Sequence, residues 1–132
     1  MNAIPKKMTI GYVSTTGVYG NHNNSWVDET SPILCKPGAK AFAYYDIEKR
    51  WQRINSKTNR KVFIFRCAGL YGDKFSALHS VLKSGIPKPS SVDPIDEGYT
   101  SRVHLKDVSR AIIASMKDTG LNGGICNLSD SL

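Results

Sequence analysis

Apolar residues recur along this chain with two different periods, and their alternation predicts an α/β order. Met8–Ser14, MTIGYVS, combines β-branched and aromatic residues ahead of a turn-rich run, which predicts a short strand. Residues 15–25, TTGVYGNHNNS, read as loop, and Pro32 and Pro37 keep 26–38 irregular. From Ala39 to Ile54 the period changes to that of a helix, with Tyr44, Ile47, Trp51 and Ile54 forming an amphipathic stripe. A polar turn over 55–60 follows. Lys61–Cys67, KVFIFRC, is the strongest strand signal. Val62, Phe63, Ile64 and Phe65 are continuous rather than alternating, the mark of a strand covered on both faces of a parallel sheet.

The second half repeats the alternation. Residues 68–74 read as a glycine-containing loop. Phe75–Ser84 reads as a helix with Phe75, Leu78 and Leu82 on one side, Gly85 as its C-terminal cap and Pro87 beyond. Residues 86–98 form a long polar loop and Tyr99–Leu105 a short extended piece. Lys106–Lys117 is a third helix with Asp107 in its first turn, ended by Gly120, and Gly124–Leu128 is a last strand. Strands that alternate with helices argue α/β architecture with a mostly parallel sheet. The two long irregular stretches exceed what bare connectors need, so each is expected to line a site or hinge.

Length and composition narrow this further. At 132 residues and 40% hydrophobic content the chain holds one core and a single region, 1–132. No apolar run is long enough to span a bilayer, and MNAIPKKMTI has no secretory apolar stretch. Cys35, Cys67 and Cys126 are odd in number, with no C-x-x-C, which argues against a metal knuckle or disulfide framework. A reducing, cytoplasmic setting fits best, with Cys67 and Cys126 as small buried hydrophobes. His22, His79 and His104 are scattered; His79 reads as structural and His104 as a local hydrogen-bonding residue. The net charge of +7 is concentrated in residues 36–61, where eight cations face Asp46 and Glu48. A solvated helix face accounts for it. Nucleic-acid binding is disfavoured, because no recognised motif accompanies the charge and the aromatics are expected to be packed.

Candidate chemistry is sparse. There is no Walker loop, no H-E-x-x-H, no G-x-S-x-G and no G-x-G-x-x-G. Gly17 and Gly20 follow a strand but open no helix that could hold a pyrophosphate. Ser14, Thr15 and Thr16 end the first strand, and ligands of parallel sheets bind beyond the carboxyl ends of the strands.

Four blocks carry a resemblance. Tyr12-Val13-Ser14-Thr15-Thr16-Gly17-Val18-Tyr19-Gly20, followed by Trp26-Val27-Asp28-Glu29 and Pro32, is the first. Phe65-Arg66-Cys67-Ala68-Gly69-Leu70-Tyr71-Gly72, Arg102-Val103-His104-Leu105-Lys106-Asp107-Val108 and Asn127-Leu128-Ser129-Asp130 follow in order. Together they resemble the extended short-chain dehydrogenase/reductase superfamily, in its NAD-dependent epimerase/dehydratase branch with nucleoside-diphosphate-sugar epimerase relatives. The resemblance covers essentially the whole chain but only the later part of a complete family member. It implies a partial Rossmann-like, doubly wound, mostly parallel sheet with the small C-terminal substrate-side region, the N-terminal half and its glycine-rich cofactor turn being absent. It also implies NAD or NADP as cofactor and a nucleotide sugar or similar alcohol or carbonyl as small-molecule substrate. A separately encoded N-terminal half or a homo-oligomer is the implied partner. Without further strands, Val62–Phe65 is expected to show an apolar edge.

Residue by residue, the resemblance makes Thr15 the donor to a substrate hydroxyl and a cofactor contact. Gly69 and Leu70 would pass the nicotinamide, and Arg102 and Asp107 would stand near the substrate. The family's Tyr-x-x-x-Lys pair falls on Lys40 and Tyr44, with the two residue types exchanged, and Glu48 fits the Glu that follows. Two readings stay open: a branch that has lost the dyad, or a rearranged pair with altered chemistry. Arg102 and Asp107 also admit a plainer reading, a salt-linked corner between strand and helix. The chain alone is expected to have little or no oxidoreductase activity.

Overall fold

In a computed structural model, which describes residues 8–58, 60–72, 77–85, 100–117 and 120–130, helices and strands alternate as the sequence pattern predicts. The elements are β1 (Ile10–Thr15), α1 (Lys40–Thr58), β2 (Val62–Cys67), β3 (Gly69–Tyr71), α2 (Ala77–Ser84), β4 (Arg102–His104), α3 (Leu105–Lys117) and β5 (Gly124–Leu128). Three strands form a parallel sheet in the order β1-β2-β5, and β3 pairs with β4 in a second, two-stranded parallel sheet.

The continuous apolar run of β2 places it at the centre, where all six of its residues are buried. Its side chains alternate between faces. Phe63, Phe65 and Cys67 join Ala68, Val103 and Val108 in one core, with Ile112, Cys126 and Leu128 packed against it. Each large apolar side chain buried there contributes about 1.5–3 kcal/mol. The expected apolar edge at Val62–Phe65 is therefore corrected. β2 is flanked on both sides, and β1 and β5 are the outer strands, each with a sheet neighbour on one side only among the described residues.

Helix α1 runs to Thr58, through the turn expected over 55–60, because Thr58 closes its last turn by donating to the Ile54 carbonyl at 2.6 Å. Its expected apolar stripe is also revised. Ile47 is exposed, Tyr44, Trp51 and Ile54 are half-buried, and the one fully buried side chain is Glu48. A carboxylate displaces the apolar stripe because a cation in β2 awaits it. The stretch 68–74, expected as loop, contains β3, whose three residues find a parallel partner in β4. In α2, Leu82 faces solvent rather than a core, while Gly85 takes φ +77° as its cap position demands. Phe75, the loop 86–98 and Tyr99 lie outside the described residues, as does the stretch joining Lys117 to Gly120. No described helix is long and apolar enough to cross a membrane, and the described residues hold no metal-ligating cluster.

Candidate functional site

The carboxyl ends of β1, β2 and β5 lie side by side, with Ser14 opposite Arg66 and Arg66 opposite Asn127. Thr15 ends β1 and caps a four-residue 3-10 turn, Thr16–Tyr19, its Oγ1 accepting from the Gly17 amide at 3.1 Å. The glycine pair thus does open a helical turn, but one too short to form an anion cradle. Gly20 ends it at φ 74°, ψ −153°, a backbone region open in practice to glycine alone. A Cβ there would stand 2.7 Å from the Leu34 carbonyl carbon, because Leu34 returns to donate to the Tyr19 carbonyl at 2.9 Å.

Beneath this rim runs a buried polar chain. Ser14 Oγ donates to Glu48 Oε1 at 2.5 Å. Arg66 grips the same carboxylate, Nη2 to Oε2 at 2.7 Å and Nε to Oε1 at 3.1 Å. Its Nη1 donates to the Tyr19 hydroxyl at 2.9 Å, and that hydroxyl donates to Asn127 Oδ1 at 2.8 Å. The Arg66 guanidinium also lies 4.9 Å from the Tyr19 ring centroid. Burial alone would lower the Arg66 pKa, but the bonds to Glu48 and Tyr19 outweigh it and hold the pKa above the ordinary arginine value. The Asn127 amide donates to Glu29 Oε1 at 2.6 Å, tying the 26–31 loop to the end of β5. That loop is itself pinned by Asp28, which accepts from the Thr30 amide and hydroxyl.

The expected site residues fall into separate groups. Thr15 and the start of α1 are neighbours: a Cβ on Gly17 would meet Thr15 Oγ1 at 3.3 Å and Ala41 Cβ at 3.7 Å. Lys40 is exposed at the first position of α1, and Tyr44 is half-buried. Tyr12 is the neighbour of Tyr44. Its phenol is pushed above the ordinary value first by burial, then by Tyr44 and Glu48. No hydrogen bond among the described residues joins Thr15 to Lys40 or Tyr44. Gly69 and Leu70 lie in β3, where Arg102 folds over Gly69, its Nη1 only 2.5 Å from where a Cβ would stand. The alternative salt-linked corner of Arg102 and Asp107 is corrected. Asp107 pairs with Arg110 on its own helix at 2.8 Å. His104 Nδ1 accepts from the Lys106 amide at 3.1 Å, the local role expected of it.

A cavity of about 340 Å³ opens at the end of β5, lined by Val103, Asp107, Asn127, Leu128, Ser129 and Asp130. Tyr71 donates to Asp130 Oδ2 at 2.7 Å beside it. Sequence reasoning did not single out Glu48, Arg66, Tyr19 and Asn127 as a unit. The available signal was Arg66 itself, a charge inside an otherwise apolar buried strand, which demands a paired carboxylate.

No protein-family model and no curated protein matches the sequence. Solved structures do. A UDP-glucuronic acid 4-epimerase from Bacillus cereus, in complex with UDP-glucuronic acid and NAD, superposes with TM-score 0.69 at 16% identity, over 94% of this chain and 40% of that one. A dTDP-glucose 4,6-dehydratase from Streptomyces venezuelae with NAD gives 0.72 at 21%, over 94% and 39%. A Thermus thermophilus UDP-glucose 4-epimerase with NAD gives 0.66 at 22%, over 92% and 42%. The chain spans about 40% of the length of these structures, and within that span it has the Rossmann-type α/β fold of NAD-dependent sugar-nucleotide epimerases and dehydratases.

Proposed function

We propose that this chain is part of an NAD(P)-dependent oxidoreductase or epimerase-like protein acting on a nucleotide sugar or a similar alcohol or carbonyl compound. The observation that carries this reading is the shared fold with epimerases and dehydratases solved with NAD. The residues present fit one end of such a dinucleotide. Thr15 uses its oxygen as an acceptor for Gly17 and keeps its hydroxyl proton for a ligand at the rim of β1. Leu70, 42% exposed beside Gly69, offers an apolar surface for a nicotinamide. Among the described residues no glycine-rich turn opens a helix long enough to hold the pyrophosphate, so that contact falls to residues outside this set. NAD and NADP are equally compatible with these groups.

Lys40 and Tyr44 favour a second reading. The phenol general acid of a Tyr-x-x-x-Lys pair is replaced here by an exposed ammonium. A non-catalytic module that binds a nucleotide or a protein partner follows if the exchange has ended hydride transfer. The three free cysteines suit a reducing, cytoplasmic setting.

Calorimetric titration of the 132-residue chain with NAD(H) and NADP(H), with circular dichroism of the same sample, tests these readings. The first predicts no turnover by this chain alone and weak or absent cofactor binding until the rest of the sheet is supplied. Micromolar binding by the isolated chain would show that the partial site suffices. Absence of binding after the sheet is completed would leave the non-catalytic module.

A further inference from the structure

A cavity of about 440 Å³ lies between the C-terminal half of α1, the 26–31 loop and the outer strand β5. Its floor is apolar. Val62 and Ile64 share the face of β2 that carries Arg66, and Ile125 stands beside Ile64 in register. Glu29, Gln52 and Asn55 supply the polar side chains around it. Two of these are held in place by the main chain. Glu29 Oε1 accepts from the Asn127 amide at 2.6 Å, which leaves Oε2 as an acceptor. Asn55 Oδ1 accepts from the Val62 amide at 3.2 Å, which turns Nδ2 away as a donor. Neither Oε2 nor Nδ2 has a hydrogen-bond partner among the described residues. The Ile125 amide, two residues before that of Asn127, points to the same outer side of β5 and adds a second donor. Glu29 is the one ionisable side chain in the lining described. The cavity sits toward the amino ends of β2 and β5, away from the rim at Thr15; Val62 and Cys67 are about 16 Å apart along β2.

We propose that this cavity binds an uncharged planar nitrogen heterocycle of the nucleobase class, at a site separate from the rim of β1. The lining chooses this chemistry. A flat ring lays its apolar faces on the branched side chains of Val62, Ile64 and Ile125. Its edge carries an N–H beside an acceptor, so Glu29 Oε2 takes the N–H and Asn55 Nδ2 gives to the acceptor. A simple amine would use Glu29 alone and leave the apolar floor uncovered. A phosphate would meet the Glu29 carboxylate and find no cation in the lining. The volume falls within the range of small-molecule sites, about 300–1,000 Å³. Both anchors are already fixed by backbone bonds, so binding orders little more of the protein. The inference is independent of the cofactor reading above.

The test titrates adenosine, guanosine, cytidine and uridine into the isotope-labelled full chain, with amide resonances followed by NMR and affinity by calorimetry. The expected result is that at least one of them binds, shifting the Val62 and Ile125 amides and the side-chain amides of Gln52 and Asn55. The Thr15–Gly20 amides should stay in place, and ribose, which lacks the base, should produce none of these shifts. Glu29→Gln keeps an oxygen for the Asn127 amide but turns Oε2 into a donor. Asn55→Asp keeps an oxygen for the Val62 amide but turns Nδ2 into an acceptor. Each should weaken binding by about tenfold or more with the circular dichroism unchanged, as the reversal of one hydrogen bond predicts. Gln52→Trp, at an exposed position of α1, fills the cavity and should abolish binding with both anchors intact. Absence of these shifts with all four nucleosides, shifts centred on Thr15–Gly20, or unchanged affinity in Glu29→Gln and Asn55→Asp would overturn the proposal. The readout needs neither NAD nor turnover, so a failed cofactor titration and a failed cavity are told apart.

Discussion

Glu48 of α1 and Arg66 of β2 meet as a bidentate pair whose side chains are 1% and 3% exposed, the only charged residues among the buried side chains described. The pair locks helix to sheet at the rim where β1, β2 and β5 end. Removing one partner strands the other charge. Glu48→Gln or Arg66→Met should each destabilise the fold by about 3–5 kcal/mol, and the double replacement by clearly less than the sum. Urea unfolding of the two single variants and the double variant checks this. Additive losses would mean the pair is not coupled.

Tyr19 bridges Arg66 and Asn127 through one hydroxyl. Tyr19→Phe keeps the ring but leaves a buried guanidinium proton and an amide oxygen unsatisfied, at about 1–3 kcal/mol. The slower-exchanging amides at the end of β5 should lose protection in that variant. Unchanged exchange would show that Glu29 alone holds the strand end.

Two glycines with positive φ should respond unequally to alanine. At Gly20 the new Cβ would meet Leu34 backbone, and Gly20→Ala should cost about 1–3 kcal/mol. Gly38, at φ +88°, has nothing within 4 Å of that position, so Gly38→Ala bears conformational strain only, about 1 kcal/mol. Thermal unfolding midpoints in that order are expected.

Alkaline stability should carry the signature of two phenols. Tyr12 is raised by burial, then by Tyr44 and Glu48; Tyr71 is raised first by its bond to Asp130. A folded-state pKa above the unfolded value of 10.0 means each contributes stability fully below pH 10.0, lost as pH rises through the folded value. Tyr12→Phe and Tyr71→Phe should each remove phenolate absorbance at 295 nm from the upper part of the titration curve. Loss from the lower part would contradict the assigned environments.

Thiol chemistry offers a fifth check. Burial, then Cys126, pushes the Cys67 thiol up. Burial and Glu29 do the same for Cys126. Both should resist a disulfide reagent at neutral pH and react on unfolding, behind half-buried Cys35.

Local pattern was enough for the elements that bury apolar side chains by simple period. The Val62–Phe65 run announced a central strand, and Gly124–Leu128 appears with the bounds its sequence suggests, because burial on a pleated sheet leaves a direct trace in residue type. The amphipathic stripe of α1 marked a helix that is there, but not its most buried side chain, because a periodicity argument counts apolar residues and cannot weigh a buried carboxylate satisfied from 18 residues away. β3 escaped notice because three residues carry too little pattern and depend on β4 for their hydrogen bonds. The resemblance located Thr15, Lys40, Tyr44, Gly69, Leu70, Arg102 and Asp107. The fold shows Thr15 beside the start of α1 and Arg102 over Gly69, and separates Asp107 from Arg102 by pairing it with Arg110.

Composition and order along the chain settled the α/β class and the placing of the Val62–Phe65 run in the middle of the sheet. Those properties follow from the chemistry of each residue and its near neighbours. That Glu48 meets Arg66, that Tyr19 and Asn127 complete the buried chain across 108 residues, and that β2 is flanked while β1 and β5 are the outer strands were decided by tertiary structure. Partnership across the sheet depends on strand order and register, and neither is written in the local sequence of any single strand.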